Sequence, residues 1–350
     1  MRKRRLFISI GILILIILLL ILRSCYLRRR AEEERLIKPY WCQVYFGPTE
    51  PGDKKGLDNK LTELISQAEK SVQSAFYDLD LQNVTDALLD AHREGVEIGL
   101  VTDSDNITSQ IEQLREAGIK VVEDERGAIM HDKFCIVDER YVWTGSFNVT
   151  ENGAYKNDNN VVLIDSKELA QNFLAEFEEM YKDKEFGPSS PDNTNNPELT
   201  ISGFEVETYF SPEDKPQEAV LEELEKAKKS IYFAAFSFTD DKIGDLMIEK
   251  HKEGIEVSGV FEKRQISRYS EYEKMRGEGM DVYLDANRYI MHHKFIIIDK
   301  EVVITGSYNF TTSAKSRNDE NLLIIRDPKI AKIYYKEFLR LREAAKSAES

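Results

Sequence analysis

Cysteine is scarce in this chain of 350 residues, which contains only Cys25, Cys42 and Cys135. The three cysteines have no paired spacing and form no cluster, so the sequence predicts neither a disulfide framework nor a structural zinc site. Cys135 lies in an apolar segment, which favours a buried core position. The composition, with 41% hydrophobic and 32% charged residues, is typical of a folded soluble protein with ordinary hydrophobic cores.

Basic residues are outnumbered by acidic residues beyond the first 30 positions. Eight of the 48 Lys and Arg residues lie in that stretch, which leaves 40 basic against 63 acidic residues and a net charge of −23 for residues 31–350. A protein that coats DNA non-specifically needs many Lys and Arg residues to neutralise phosphates. The charge therefore counts against a general DNA-coating role, although it leaves a locally basic groove open.

Long apolar runs are absent except at residues 6–22, where 17 successive residues carry no charge. As a helix this run would be about 26 Å long, just enough to cross the hydrocarbon core of a bilayer. The run is longer than the apolar region of a signal peptide and is not followed by a small-x-small cleavage site. We therefore expect residues 1–30 to form an uncleaved, single-pass membrane anchor with basic flanks.

The orientation of this anchor is weakly specified. Four basic residues precede the apolar run and four follow it, so the positive-inside count ties. The basic residues packed against the start of the run, and the acidic residues 32–34 after the second cluster, slightly favour an inside N-terminus. The rest of the chain is expected outside the bilayer, on a side that the sequence does not decide.

An internal duplication organises the remainder of the chain. Equivalent residues are offset by 159 near residue 92 and by 161 from residue 118 onward, so only small loop changes separate the two copies. We predict a first half at residues 41–186, a linker rich in turn formers at 187–200, and a second half at 201–346. Helical and strand patterns alternate in each half, which predicts an α/β fold with two similar α/β/α halves around largely buried sheets.

Each half contains the pattern His-x-Lys-x4-Asp. The two copies are His131, Lys133 and Asp138 in the first half and His292, Lys294 and Asp299 in the second. Residues i and i+2 of a strand point to the same face, so the His and Lys of each copy should project together. A lone His in an apolar strand is usually a packed core residue, but two complete copies with matching downstream segments argue for a functional site.

A Gly-Ser-x-Asn segment follows each copy of the pattern. It supplies two serines and two asparagines, namely Ser146, Asn148, Ser307 and Asn309. Glycine permits close backbone approach, and Ser and Asn can donate hydrogen bonds to an anion. Two His, two Lys and two Asn together suit a phosphodiester. The lysines and amides can stabilise the negative charge of the phosphoryl oxygens, while the imidazoles can serve the nucleophile and the leaving group.

This combination resembles the phospholipase D superfamily, the HKD phosphodiesterases, over residues 45–345. The resemblance implies a mixed sheet in each half and a pseudo-twofold axis between the halves. It implies that one imidazole attacks phosphorus to form a phosphohistidine while the other protonates the leaving oxygen, with no metal or other cofactor. The residues carried over are the catalytic set His131, Lys133, Asp138, His292, Lys294 and Asp299, with Ser146, Asn148, Ser307 and Asn309 on or beside the phosphate. The aspartates match the motif, in a role expected to be largely structural.

The two halves depart from each other downstream of the motif. Family members often carry a glutamate in an Asn-x-Glu-Asn segment that orients a catalytic imidazole, and Glu320 matches it in the second half. The first half has Asn159 at this place, an amide instead of a carboxylate. We therefore expect inequivalent imidazoles, and the sequence leaves open whether Glu320 contacts His292 or His131. By analogy with two-motif members, His131 is expected to be the nucleophile and His292 the general acid.

The anchor and the acidic charge favour a membrane-anchored phosphodiesterase that hydrolyses phospholipids. The alternatives, in order, are an endonuclease of the same family, a cardiolipin synthase-like phosphatidyl transferase and a non-catalytic anion-binding scaffold. The expected partners are the membrane, bound through the N-terminal helix, and a phospholipid or nucleic-acid phosphodiester substrate. No obligatory protein partner is expected.

Overall fold

The computed structural model describes residues 41–349, and the predicted membrane anchor at residues 1–30 lies outside the described residues. Among residues 41–349, every helix is too short or too polar to cross a membrane. The residues from Cys42 onward form one compact unit, so the two halves share a structure and can be described together.

A seven-stranded sheet forms the centre of the first half. Its strands are β1 Cys42–Gly47, β2 Ser71–Phe76, β3 Glu97–Asp103, β4 Lys120–Asp124, β5 Lys133–Val137, β6 Tyr141–Gly145 and β7 Asn159–Asp165. Their order across the sheet is β1-β7-β6-β5-β2-β3-β4. Strands β2, β3 and β4 are parallel, and the remaining pairs are antiparallel. The sheet is therefore mixed.

Five helices flank this sheet. They are α1 Leu57–Ile65, α2 Gln82–Arg93, α3 Ser109–Glu116, α4 Glu151–Tyr155 and α5 Lys167–Glu178, followed by a π-helical turn at Glu179–Asp183. Helix α1 forms because Leu57, Leu61 and Leu64 recur at helical spacing and are buried against the sheet. Side-chain caps fix helix starts elsewhere, as at Ser166, whose hydroxyl accepts from the amide of Leu169 at the start of α5.

The second half repeats this arrangement with one added strand. Its strands are β8 Glu198–Ile201, β9 Phe204–Ser211, β10 Ser230–Ala235, β11 Glu256–Phe261, β12 Asp281–Leu284, β13 Lys294–Ile298, β14 Val302–Gly306 and β15 Glu320–Arg326. Read from β9, the order β9-β15-β14-β13-β10-β11-β12 matches the first sheet strand for strand, and β8 extends the edge. Its helices are α6 Pro216–Glu225, α7 Asp241–Lys252, α8 Glu271–Gly277, α9 Thr312–Ser316 and α10 Pro328–Glu349.

The predicted fold class, with two similar halves around mixed sheets, is confirmed. Strand β8 begins at Glu198, within the segment predicted as linker. The exact domain boundaries stay a prediction, because the two halves belong to one compact unit.

Helices α5 and α10 join the halves through aromatic side chains. Phe173 of α5 packs edge-on against Phe134 of β5 and Phe210 of β9, with ring centroids 5.1 Å apart in each pair. In α10 the equivalent residue Tyr334 packs against Phe295 of β13 and Phe46 of β1, at 5.2 and 5.4 Å. Such pairs each add about 0.5–1.5 kcal/mol beyond burial. Because each helix touches a strand of both sheets, this packing fixes the two motif strands relative to each other.

Candidate active site

The backbone brings the two motif segments together across the junction of the halves. The amide of His131 donates to the carbonyl of Asp319 at 2.9 Å, and the amide of His292 donates to the carbonyl of Asp158 at 2.8 Å. Isolated parallel bridges join the same segments. Each motif histidine is thus hydrogen-bonded to the residue before the Asn/Glu position of the other half.

His131 and His292 line one pocket of about 400 Å³ at this junction. The other lining residues are all uncharged and carry apolar, aromatic, amide or hydroxyl side chains. They are Tyr77, Ile129, Asn148, Asn157, Phe236, Ser237, Gln265, Ile290, Asn309 and Thr311. His131 and His292 are only 6% and 7% exposed. The pocket therefore gives a ligand access to imidazole nitrogens that are otherwise buried. The structure therefore brings both predicted histidines and both predicted asparagines to one cavity.

The imidazole of His131 is supported by a carboxylate from the opposite half. Its Nδ1 lies 2.7 Å from Oε2 of Glu320. An ionised carboxylate can only accept, so Nδ1 carries the proton and Nε2 keeps a lone pair. Glu320 therefore crosses the interface to His131, which answers the question that the sequence left open.

The imidazole of His292 is supported by neutral groups. Its Nδ1 lies 2.9 Å from the carbonyl oxygen of Ser146 and 3.1 Å from Oδ1 of Asn159. A carbonyl oxygen can only accept, so Nδ1 is again the donor. On the other side of the ring, Nε2 lies 3.1 Å from Nζ of Lys294. Both imidazoles thus carry a proton on Nδ1. The acceptor of that proton is a carboxylate for His131 and a pair of neutral oxygens for His292.

The motif lysines lie just behind the imidazoles. Nζ of Lys133 donates to the carbonyl of His131 at 2.5 Å, and Nζ of Lys294 donates to the carbonyl of His292 at 3.0 Å. Burial lowers the pKa of Lys133 to about 7, against the attraction of Glu320. Burial and the charge of Lys133 likewise lower the pKa of Lys294 well below its ordinary value.

Burial and the two lysines act in the same direction on the imidazoles. They lower the pKa of both His131 and His292 well below 6.5. Burial also raises the pKa of Glu320 to about 7, although Lys133 and Lys294 oppose that rise. An anion between the histidines would offset the positive charge of the lysines and favour protonation of an imidazole. The site is therefore suited to hold a phosphate group.

The comparisons with known proteins agree with this geometry. The family model described as "Cardiolipin synthase, PLD-like domain" matches residues 61–181 and 220–342, one segment in each half. The chain belongs to the phospholipase D superfamily. It is a phospholipase D-like phosphodiesterase, and the family predicted from the motif is confirmed.

Two curated relatives are similar to this chain in sequence, and one solved structure is similar in fold. A protein named phospholipase D from Rickettsia prowazekii is 36% identical over 135 residues, which cover 38% of this chain and 66% of the relative. A protein named mitochondrial cardiolipin hydrolase from Chlamydomonas reinhardtii is 33% identical over 122 residues, covering 35% and 55%. The crystal structure of phosphatidylserine synthase from Haemophilus influenzae superposes with a TM-score of 0.65 at 13% identity, covers 86% of both chains, and supports the fold alone.

The serines of this phospholipase D-like site lie behind the imidazoles. The hydroxyl of Ser146 accepts from the amide of Asn160 at 3.0 Å and donates to Asn159 at 2.9 Å, while that of Ser307 accepts from the amide of Asn321 at 2.9 Å. Both serines are fully buried. Their contacts position strands β7 and β15, so their predicted contact with phosphate stays a prediction.

The motif aspartates lie at the opposite end of strands β5 and β13 from the pocket. The carboxylate of Asp138 accepts from the amides of residues 69–71, at distances from 2.7 to 3.2 Å. That of Asp299 accepts from the amides of residues 228–230, at 2.7 to 3.0 Å. Each aspartate also has a positive φ, 55° and 53°, in the hairpin turn that follows its strand. These contacts agree with the structural role expected of them.

Sequence reasoning missed a pair of buried threonine and asparagine contacts across the interface. Thr144 donates to Asn321 at 2.6 Å, and Asn160 donates to Thr305 at 2.8 Å. The four residues are equivalent in pairs at an offset of 161, so the duplication itself carried the signal.

Gly145, before the first serine, has a φ of 157°, and a Cβ there would collide with the carbonyl of Asn160. The close backbone approach predicted for this glycine is therefore present.

Proposed function

We propose that this protein is a membrane-anchored enzyme that hydrolyses phospholipids at the headgroup phosphodiester through a phosphohistidine intermediate. The observation that carries the choice of substrate is the lining of the pocket. Among the described residues that line it, none is Lys or Arg, and Tyr77, Ile129, Phe236 and Ile290 are apolar or aromatic. A nuclease needs cations along the neighbouring phosphates, whereas a lipid offers one phosphate beside apolar chains.

In the first step His131 attacks phosphorus. The lone pair of its Nε2 forms the phosphorus–nitrogen bond, and the bond from phosphorus to the headgroup oxygen breaks. Protonated His292 donates its Nε2 proton to that oxygen, so the headgroup leaves as an alcohol. Glu320 stabilises the positive imidazole ring of His131 while the phosphatidyl group is attached to it.

The lysines and asparagines stabilise the negative charge on the phosphoryl oxygens during this step. Lys133 and Lys294 supply positive charge from behind the imidazoles, and Asn148 and Asn309 line the cavity. These groups are fixed before substrate binds, so little reorganisation is needed as charge develops. In the second step neutral His292 takes a proton from water, the water oxygen bonds to phosphorus, and the bond to His131 breaks to release phosphatidic acid.

The anchor belongs to this proposal because it places the enzyme at its substrate. It rests on the apolar run at residues 6–22 and on the name of the relative from Chlamydomonas reinhardtii, mitochondrial cardiolipin hydrolase. Replacing Ile14 and Ile17 by Arg should release the full chain from membranes into the soluble fraction. Retention of that variant in washed membranes would contradict the anchor.

Substrate class is tested with the full chain purified in detergent micelles. We expect release of phosphatidic acid from vesicles that contain labelled phosphatidylethanolamine, phosphatidylglycerol or cardiolipin, and no cleavage of single- or double-stranded oligonucleotides. The His131→Ala and His292→Ala variants serve as inactive controls. Cleavage of oligonucleotides without phospholipid turnover would replace the proposal with the nuclease, and transfer of the phosphatidyl group to added glycerol or phosphatidylglycerol would favour the transferase.

A further inference from the structure

Three glutamates meet where helix α5 of the first half approaches the loop after β9 of the second half. They are Glu176 of α5, Glu179 of the following π-helical turn, and Glu213 of the loop, and their nearest carboxylate oxygens lie within 4.8 Å of one another. Glu176 and Glu179 are 2% and 3% exposed, and Glu213 is half-buried. This glutamate cluster is separate from the catalytic pocket, none of whose lining residues it contains.

The carboxylate of Glu176 points into the cluster without a hydrogen-bond partner for its Oε1 among the described residues. The same holds for Oε1 of Glu179 and Oε2 of Glu213, while Oε2 of Glu179 accepts from Asn193 at 3.1 Å. A buried carboxylate that lacks partners is unfavourable unless a cation or a proton balances it. The cluster therefore requires a source of positive charge.

The second half shows how the same fold balances the equivalent position. At the offset of 161, Glu176 corresponds to Glu337 and Glu179 corresponds to Arg340. Glu337 accepts from Nε of Arg340 at 2.9 Å and lies 3.2 Å from Nε2 of His293. Arg340 also donates to Asp158 at 2.5 Å. Each buried carboxylate there has a basic side chain of the protein as its partner.

The first half has replaced both of those bases by acids. Glu179 stands at the place of Arg340, and Asp132 stands at the place of His293. Asp132 is fully buried. Burial raises the pKa of both Glu176 and Glu179, and the charge of Asp132 adds to the rise. Arg126, which lies at this interface, pairs with Asp124 and Asp319. The two copies thus differ by two basic groups at one interface.

We propose that Glu176, Glu179 and Glu213 bind a hard divalent cation of the Ca²⁺ type, which supplies the positive charge that Arg340 supplies in the second half. Carboxylate oxygens are the ligands that such ions prefer, and Ca²⁺–oxygen distances of about 2.3–2.6 Å place ligands on opposite sides of the ion about 5 Å apart. One carboxylate oxygen from each glutamate lies within 4.8 Å of the other two, which is compatible with that geometry. The other candidate cluster, Asp158, His293 and Glu337, already binds Arg340.

The bound ion would be structural. It would tie α5 of the first half to the β9 loop of the second half, on the same helix that carries Phe173 into the interface. Its removal should therefore lower the thermal stability of the protein and leave the chemistry of the histidines unchanged.

The test is thermal unfolding of the full chain in detergent at pH 7.5, after removal of metals with EDTA. Saturating Ca²⁺ should raise Tm on the order of 5 °C, and excess EDTA should reverse the rise. Isothermal titration with Ca²⁺ should show one site, with Mg²⁺ as the comparison ion. Glu176→Gln and Glu179→Gln should each abolish the rise. Glu178→Gln, an exposed substitution on the same helix, should keep it.

A second variant keeps the test decisive if those substitutions unfold the chain. Glu179→Arg copies the arrangement around Arg340, so it should raise Tm in EDTA and remove the response to Ca²⁺. The proposal would be overturned if the wild-type Tm did not change with Ca²⁺ and instead rose as the pH fell from 8 to 6. Protons, rather than a metal ion, would then neutralise the glutamate carboxylates. Loss of phospholipid turnover is a separate readout, so failure here leaves the proposed reaction intact.

Discussion

The two halves place the same histidine in different electrostatic surroundings. His131 has the Glu320 carboxylate at 2.7 Å, and His292 has a backbone carbonyl and the Asn159 amide at 2.9 and 3.1 Å. In the proposed reaction, this carboxylate would stabilise the positively charged ring of His131 while it carries the phosphoryl group. Neutral acceptors instead allow His292 to gain and lose a proton with less bias. Under the proposed reaction, this single difference between the halves, Glu320 against Asn159, would give the two equivalent histidines different roles.

The largest expected effect comes from removing either imidazole. His131→Ala and His292→Ala should each reduce kcat on phospholipid by about 10³-fold or more, because each residue acts on a different bond. Acid quenching with substrate labelled in the retained phosphatidyl group, followed by mass spectrometry, should locate the adduct on His131. His292→Ala should still form that adduct from a substrate with a good leaving group. An adduct on His292 in the wild type would reverse the comparison.

The next effect comes from exchanging the groups behind the rings. Glu320→Gln is nearly isosteric, removes the charge behind His131, and should lower kcat by about 10²-fold. Asn159→Asp adds the missing charge beside His292 and should lower kcat less, by about tenfold, since it favours an imidazolium that must later act as a base. Steady-state kinetics of both variants test this order. Equal losses in the two variants would mean that the surroundings do not assign the roles.

The pH profile of kcat/KM should be a narrow bell with its maximum at or below pH 7. Glu320 must be ionised to support His131, and its pKa is raised to about 7, so activity falls as the pH drops below that value. Lys133 and His292 must both be protonated. Burial lowers the pKa of Lys133 to about 7 and that of His292 well below 6.5, so activity falls as the pH rises through this range. Glu320→Gln should move the acidic limb below pH 6.5, where burial places the pKa of His131. An acidic limb that stays near pH 7 in this variant would contradict the assignment to Glu320.

The sequence predicted which residues form the site better than it predicted their contacts. The spacing of His, Lys and Asn, repeated at a constant offset, identified His131 and His292 as a matched pair, and the resemblance to the phospholipase D superfamily implied that they meet in one site. The partner of Glu320 could not be predicted, because the contact joins residues 189 positions apart across two halves. Ser146 and Ser307 have the spacing of phosphate ligands, but the amides of β7 and β15 use their hydroxyls.

The glutamate cluster gave no signal in the sequence. Glu176 and Glu179 lie on a pattern that usually faces solvent, since acidic residues three apart are common on exposed helix faces. Only the meeting of α5 with the β9 loop, which comes from the other half, buries them. Contacts made by two distant segments depend on tertiary packing, and local pattern does not specify them.

The smallest effect on activity is expected at Asp138 and Asp299, where the halves are alike. Each carboxylate accepts three backbone amides of the loop before the neighbouring strand, and an amide side chain in its place would keep the shape while losing the charge. Asp138→Asn and Asp299→Asn should each lower the free energy of unfolding by about 1–3 kcal/mol and change kcat by less than about twofold. Urea unfolding and steady-state kinetics measure the two quantities. Because each aspartate accepts from three equivalent backbone amides at similar distances, the two losses of stability should be similar. A selective loss of kcat in one variant would show that its aspartate acts on the pocket, and that the difference between the halves extends beyond the groups behind the imidazoles.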